Sequence, residues 1–250
     1  MKACSFYIFN YQQENEYLKE KIESELSVHG FYKDEDPELV ISLGGDGTFL
    51  SSMHQTDFKK RYISINRGHL GFFSDYDHED IFSLVYDIIN KDCFLEEIPL
   101  YDITGDKNDV FFSDIAITSH KTLNISLSID DENIFKGNAS GIVISSAKGS
   151  TGFNYSLNSP VCFISSPFLQ FSLIAPVKNR LNRNVISKGI LPLDKKIFLS
   201  ALGDLHLSVD GREDEDLKEI NLEVSLKDQK VSLIHFKKIS LVQRIKRSIN

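Results

Sequence analysis

Apolar and polar positions along the first ninety or so residues alternate in two rhythms, one of short apolar runs and one of amphipathic stretches. Residues 3–9, ACSFYIF, form an apolar run that predicts a first strand. Residues 13–28 place Leu18, Ile22 and Leu26 at four-residue spacing among Glu and Lys, with Gly30 just beyond as a stop, which predicts a surface helix. A second strand is expected over 38–43, running into glycines, and a third over 61–65. Ser51-Ser52-Met53-His54 reads as a helix start, and 78–90 as a long helix opening in an Asp-rich turn. The order β-α-β-α-β-α implies a parallel sheet.

From about Phe94 the texture changes to pieces rich in Val, Ile, Phe and Ser. Strands are expected over 110–118, 123–129, 135–145, 168–175, 196–201, 205–209, 220–226 and 231–236, which together predict a sandwich or layered sheet. The acidic run 213–216 reads as a solvated turn. Residues 237–250 space Ile239, Leu241, Val242 and Ile245 among basic residues. They predict a closing helix whose cations complement its own C-terminal dipole, in preference to a phosphate or membrane contact. The fold class expected is therefore an α/β N-terminal domain, 1–95, followed by a β-rich, sandwich-like domain, 96–236.

Composition narrows the chemistry. The 250 residues, 41% of them apolar, are enough for one large core or two modest ones. A formal net charge of −8 leaves no global basic field for nucleic acid. Cys4, Cys93 and Cys162 form no C-x-x-C pair, so neither a disulfide framework nor a thiolate zinc site is signalled. No run of about 18 apolar residues occurs, and residues 3–9 lack a signal-peptide cleavage site, so a soluble cytoplasmic protein is expected. The histidines show no H-x-x-x-H spacing, and Ser150 sits in no G-x-S-x-G elbow, which argues against a histidine metal site and a hydrolase.

The densest chemical signal is Gly44-Gly45-Asp46-Gly47-Thr48, directly after an apolar strand. Glycines permit positive φ and close approach of the backbone, so such a turn can aim N–H groups and a helix N-terminus at a phosphate. Asp46 would repel that phosphate unless it binds a metal or accepts the proton of a hydroxyl attacking phosphorus, and the combination points to phosphoryl transfer. The simpler alternative, a tight turn with Asp46 as an N-cap, accounts for one or two glycines but not three. There is no G-x-x-x-x-G-K-[ST] and no G-x-G-x-x-G after a strand, which argues against P-loop kinases and ordinary dehydrogenases. Two further polar turns follow, Asn66-Arg67-Gly68-His69-Leu70-Gly71-Phe72-Phe73 and Lys148-Gly149-Ser150-Thr151-Gly152-Phe153-Asn154-Tyr155.

These three segments, in this order, resemble the hallmarks of the NAD kinase family: a G-G-D-G-T loop, an N-x-G-x-L-G-F segment and a G-S-T-A-Y-like segment. Asn179-Arg180 with Arg183, and Val209-Asp210-Gly211, extend the resemblance over most of the chain. It implies nucleotide bound in the cleft between the two domains, with 237–250 returning to the first. It also implies Mg²⁺-assisted transfer of the γ-phosphoryl group of ATP, or in some members of polyphosphate, to the 2′-hydroxyl of the adenosine ribose of NAD, and a homo-oligomer, a dimer or tetramer. Carried over residue by residue, Asp46 is similar to the catalytic aspartate, and Gly44, Gly45, Gly47 and Thr48 line the phosphate-binding turn. Asn66 is expected near the dinucleotide, with a turn-capping role as its alternative. Gly149, Ser150 and Thr151 are expected around the adenosine, with Phe153 in the position of a family tyrosine and Arg183 also at the NAD site.

The departures from the pattern fall at recognition positions. Ser113-Asp114 replaces an Asn-Glu pair, so the charge survives and the amide does not. Ser140-Gly141 replaces Asp-Gly, and Ala147-Lys148 replaces Pro followed by Ser or Thr, placing a cation near the expected nucleotide. Mg²⁺ is expected to ride mainly on the donor's phosphates, because no carboxylate cage is evident. Two rivals stand beside the kinase: a nucleotide-binding module of the same fold, and a G-G-D-G-T kinase for another hydroxyl acceptor, such as a lipid.

Overall fold

The computed structural model describes residues 4–10, 16–67, 71–162, 167–177 and 185–249, with the side chains of 213–215 and 248–249 excepted. Residue 3, residues 13–15 of the expected first helix, Gly68, His69, Leu70, Asn179, Arg180 and Arg183 lie outside the described residues. In chain order the elements are β1 (Ser5–Asn10), α1 (Glu16–Val28), β2 (Tyr32–Lys33), β3 (Leu39–Leu43), α2 (Asp46–Gln55), β4 (Arg61–Asn66), β5 (Tyr76–Asp77), α3 (Ile81–Asn90) and β6 (Phe94–Gly105). There follow β7 (Asp109–Phe111), β8 (Asp114–Ile129), β9 (Glu132–Ser146), α4 (Phe153–Ser156), β10 (Leu169–Ile174), β11 (Lys188–Leu191), β12 (Ile197–Val209), β13 (Arg212–His235) and α5 (Leu241–Ile249). The chain divides into two compact units, Met1–Ile98 with Lys230–Asn250, and Pro99–Gln229.

The first unit is the expected α/β half. Its parallel strands run in the order β4-β3-β1-β2, with β5 beside the end of β4 and Ser232 and Leu233 of β13 beside its start. All five residues of β3 are buried, the mark of a parallel strand covered on both faces. One face carries Phe6, Ile8, Leu39, Ile41, Ile63 and Ile65, which pack with Ile22 and Leu26 of α1 and Leu84 and Ile88 of α3. Asp77 caps the short 3-10 turn ahead of α3 by accepting the N–H groups of Glu79 (2.9 Å) and Asp80 (3.1 Å), as the Asp-rich start predicts. Helix α2 begins at Asp46 and not at Ser51, so Gly47 and Thr48 belong to its first turn.

The second unit is antiparallel and β-rich, in the strand order β11-β10-β9-β8-β12-β13, with β6 pairing β7. Its strands are fewer and longer than the sequence pattern predicts. The expected pairs 196–201 with 205–209 and 220–226 with 231–236 are single strands, interrupted in β12 by a register shift between Leu202 and Leu205. Such breaks bend a strand and interrupt the period-two alternation from which strand ends are read. The acidic run 213–216 lies inside β13 and is not a turn; the reversal falls at Asp210-Gly211, whose φ values are +50° and +75°. One face of these strands meets in a single core that includes Ile115, Leu127, Ile144, Phe171, Leu207 and Leu222. No helix among the described residues is long and apolar enough to cross a membrane.

Candidate active site

The C-terminal ends of β3 and β4, where parallel sheets receive ligands, carry the glycine-rich segment of the first unit. Gly44 donates its N–H to the Ile65 carbonyl (2.9 Å), tying the two strand ends together. Its φ of +152° suits glycine, and a Cβ there would lie 2.7 Å from Thr48 Cβ, so the Thr48 side chain occupies the space a larger residue would need. Gly45 is the N-cap of α2 and makes no side-chain cap bond. A Cβ at Gly45 or Gly47 would meet no atom within 4 Å, so packing does not explain these two glycines. Both leave bare backbone at a helix N-terminus, where N–H groups lack intrahelical partners.

Asp46 is not the N-cap. As the first residue of α2 it turns its carboxylate away from the helix, accepting the N–H of Phe72 at 3.0 Å and that of Phe73 at 3.3 Å. A Cβ on Gly71 would lie 2.9 Å from Asp46 Cγ, so glycine at 71 is what admits the carboxylate to this position. The rings of Phe72 and Phe73 are buried and pack edge to face at 5.0 Å, and Phe73 leans on Phe49 of α2 at 5.4 Å. Burial pushes the Asp46 carboxyl above its ordinary value, opposed by the two N–H donors and by the positive charge of Arg244. Asn66 ends β4 buried, and its Oδ1 accepts the N–H of Arg67 at 2.9 Å, the local bond of a turn-capping role. With Leu43, Gly44 and Ile65 it lines one crevice.

The second unit gathers a separate polar cluster around Asp210. Held at φ +50° in the β12–β13 reversal, its carboxylate accepts the N–H groups of Phe112 (2.8 Å), Ser113 (2.7 Å) and Asp114 (3.1 Å). Its own N–H donates to the Asp114 carbonyl at 2.8 Å. The Asp114 carboxyl is pushed up to about 7 by burial and by the neighbouring Asp210 charge, against a lowering bond from the Ser113 hydroxyl at 3.2 Å. The turn that follows β9 closes on this pair. A Cβ at Gly149 would lie 2.8 Å from the Ser113 carbonyl carbon, and one at Gly152 would lie 3.3 Å from Asp114 Oδ2.

Ser146 fastens that turn, donating its hydroxyl to the Phe112 carbonyl (2.6 Å) and accepting the N–H groups of Lys148 (3.1 Å) and Gly149 (3.3 Å). Ser150 is buried, and its hydroxyl accepts the Cys162 N–H at 3.1 Å. Thr151 and Lys148 are half-buried, and the Phe153 ring is exposed. Within this unit Ser113, Asp114 and Gly149 are therefore brought together. Ser140 is not among them: Asp114 pairs with Ser145 in the sheet, five residues further along β9, which at about 3.3 Å per residue is roughly 16 Å away.

Four functional candidates escape a residue-by-residue reading of the motifs: Gly71, the Phe72–Phe73 backbone, Asp210 and Arg244. The first three lie inside motif segments, and their spacing carries the signal. Arg244 does not, because among the cations of a basic closing helix nothing marks one as buried.

The comparisons with known proteins agree with this architecture. Residues 9–93 match the family described as the ATP-NAD kinase N-terminal domain. The chain is 30% identical over 188 residues to an NAD kinase of Staphylococcus carnosus, covering 70% of each chain. It is 28% identical over 253 residues to NAD kinase 1 of Oceanobacillus iheyensis, covering 94% of this chain and 93% of that one. In fold it is similar to an NAD kinase from Archaeoglobus fulgidus solved with ATP, with a TM-score of 0.81, 18% identity, and coverage of 98% of this chain and 99% of that one. The yeast NADH kinase solved with NADH gives a TM-score of 0.81 at 15% identity, over 97% of this chain and 85% of that one. With the relatives aligned along both units and the fold shared from end to end, the chain belongs to the NAD kinase family, a family of phosphotransferases.

Proposed function

We propose that the protein transfers the γ-phosphoryl group of ATP to the 2′-hydroxyl of the adenosine ribose of NAD, forming NADP and ADP. The observation that carries this reading is the setting of Asp46, a half-buried carboxylate on the first turn of α2 between two glycines that pack against nothing. A carboxylate raised by burial is a better proton acceptor than an exposed one, and a base must lie beside a hydroxyl that attacks phosphorus. In the reaction the 2′-oxygen bonds the γ-phosphorus while its proton passes to Asp46. The bond from that phosphorus to the bridging oxygen of ADP breaks. Bare backbone at Gly45 and Gly47 lets the transferring phosphate approach the N–H groups of the helix start.

Among the described residues no group of three or more His, Cys, Asp or Glu is arranged to hold a metal ion. The donor set therefore does not fit a protein-held Mg²⁺; in this proposal the ion enters with the ATP phosphates, and no step is routed through it. The same proposal assigns Ser113, Asp114, Lys148, Gly149, Thr151 and Phe153 to the dinucleotide, with the exposed Phe153 ring offering a face for stacking. Ser150 supports the turn through its bond to Cys162. A cytoplasmic homo-oligomer, dimer or tetramer, completes the proposal, and sedimentation equilibrium measures its size.

The test is an incubation with NAD, ATP and Mg²⁺, read by an NADP-specific dehydrogenase. NADP is expected from the parent, and Asp46→Asn is expected to lose activity by roughly 10²–10⁴-fold. Full turnover by a folded Asp46→Asn would remove Asp46 from the chemistry. NAD binding without NADP would identify a binding module. Parallel reactions with NADH and with polyphosphate define the acceptor and the donor.

A further inference from the structure

One peptide group in the first unit is gripped from both sides. The N–H of Phe73 donates to Asp46 (3.3 Å), and the carbonyl of Phe72, the other half of the same peptide, accepts from Arg244 Nη1 at 3.1 Å. Arg244 also reaches the Phe73 carbonyl at 3.4 Å, so both carbonyls that follow the Asp46-binding N–H groups end on one guanidinium. That guanidinium belongs to α5, more than 170 residues away in sequence, and only 8% of the Arg244 surface is exposed.

A buried network orients Arg244 in turn. Its Nη2 bonds the Asp75 carboxylate and lies 3.1 Å from His235 Nδ1. The other Asp75 oxygen is 2.8 Å from the same Nδ1, while His235 Nε2 faces Glu96 at 3.2 Å. A carboxylate therefore faces each ring nitrogen of His235, and the Arg244 guanidinium shares the Nδ1 side. Burial and the Arg244 charge lower its pKa, but the bonds to Asp75 and Glu96 outweigh them and leave it raised. The titratable and charged groups surrounding the arrangement are thus Asp46 on α2, Asp75 just ahead of β5, Glu96 on β6, His235 on β13 and Arg244 on α5.

We propose that Arg244 is a positioning residue for the reaction: through the Phe72–Phe73 peptide it fixes the orientation of the Asp46 carboxylate, and Asp75 and His235 hold it in the geometry that does so. A peptide whose carbonyl is bonded to a cation is a stronger N–H donor, so the two grips reinforce each other. Lysine cannot replace this arrangement, because an ammonium is a point charge without the planar fork that serves two carbonyls and a carboxylate together. The Arg244 charge also lowers the Asp46 pKa directly, which helps to keep the carboxylate ionised.

This inference rests on the kinase reading for its activity measurements, and the tests separate the two. Arg244→Lys is expected to keep the fold and the KM for NAD while kcat falls by roughly 10–100-fold, the effect of a misplaced catalytic group. Arg244→Gln removes the charge, so Asp46 should protonate at higher pH and the acid limb of the pH–kcat profile should move upward. In the Asp46→Asn background either change should have little further effect, whereas a merely structural role would lower residual activity additively. A ¹³C-carboxyl NMR titration of Asp46 in the parent and in Arg244→Gln reads the same coupling without turnover. Failure of the parent to make NADP would overturn the kinase reading alone. An active parent with a dead Asp46→Asn, but with unchanged kcat in Arg244→Lys and an unmoved Asp46 titration in Arg244→Gln, would overturn this inference alone.

Discussion

Gly47 and Gly71 differ in what surrounds them, and that difference separates folding from chemistry at single residues. Gly71 is pressed against the Asp46 carboxylate, so Gly71→Ala must displace that carboxylate or the backbone that binds it. The expected result is a destabilisation of about 1–3 kcal/mol together with a large fall in kcat. Gly47 stands in the first turn of α2 with open space where a side chain would go. Gly47→Ala should stabilise the fold by a few tenths to about 1 kcal/mol in urea titrations, because alanine is the better helix former, yet raise the KM for ATP. A Gly47→Ala enzyme with unchanged KM would show that close approach of phosphate at this backbone is not required. At this scale Asp46 stands out in the sequence as a candidate reacting group, because an acid repels the anion that a glycine-rich turn is shaped to receive. Its grip on Phe72 and Phe73 is not legible, since backbone donors leave no trace in residue identity.

Among the elements, the parallel half follows its sequence closely, because covered strands and one-faced helices write strong patterns. The all-buried β3 and the spaced Ile22 and Leu26 of α1 are examples. The antiparallel half is harder, since its strands run through register breaks at which the alternation resets. Gly141 pairs with Thr118 at the edge of one such break, the register shift between Thr118 and Leu123 of β8, with φ +159° and a Cβ position only 3.1 Å from Thr118 Cα. Gly141→Ala is therefore expected to destabilise the second unit by about 1–3 kcal/mol, read as a lower urea midpoint with an unchanged slope. An unchanged midpoint would mean that the break tolerates a side chain. The sequence pattern starts α2 too late because glycines oppose helix propensity, and the tertiary bonds of Gly44 and Asp46 override that preference.

For the whole molecule, three buried groups set the direction in which stability responds to pH. Asp114, pushed up to about 7, holds its proton more tightly when folded, so its contribution is full below about pH 4 and is lost progressively as pH rises from there through 7. His235 is also raised, and its contribution is full below about 6.5 and lost as pH rises through its folded value. Asp87 runs the other way: burial raises it, but Lys91 and Tyr76 outweigh that and leave it lowered, so its contribution is lost toward acid. Maximum stability is expected in mildly acidic solution. In Tm measurements from pH 5 to 8.5, Asp114→Asn should gain on the parent as pH rises, and parallel curves would exclude Asp114 as the source.

The two-unit division is visible in the sequence as a change of texture near Phe94, and the pattern breaks again at 227–230, where the unbroken β13 passes from the second unit back to the first; that Lys230–Asn250 belong to the first unit is not legible from that break, and for 237–250 only the family resemblance implies it. That return has a consequence for biosynthesis. The peptide that holds Asp46 receives its second grip only after residue 244 has been translated, and at about 5–20 residues per second this follows Asp46 by roughly 10–40 s. A nascent chain thus carries Asp46, the proposed base, on the ribosome for most of its synthesis without the arginine that grips its backbone partners, and a message cut short before α5 yields a protein with every recognisable motif and no second grip on that peptide.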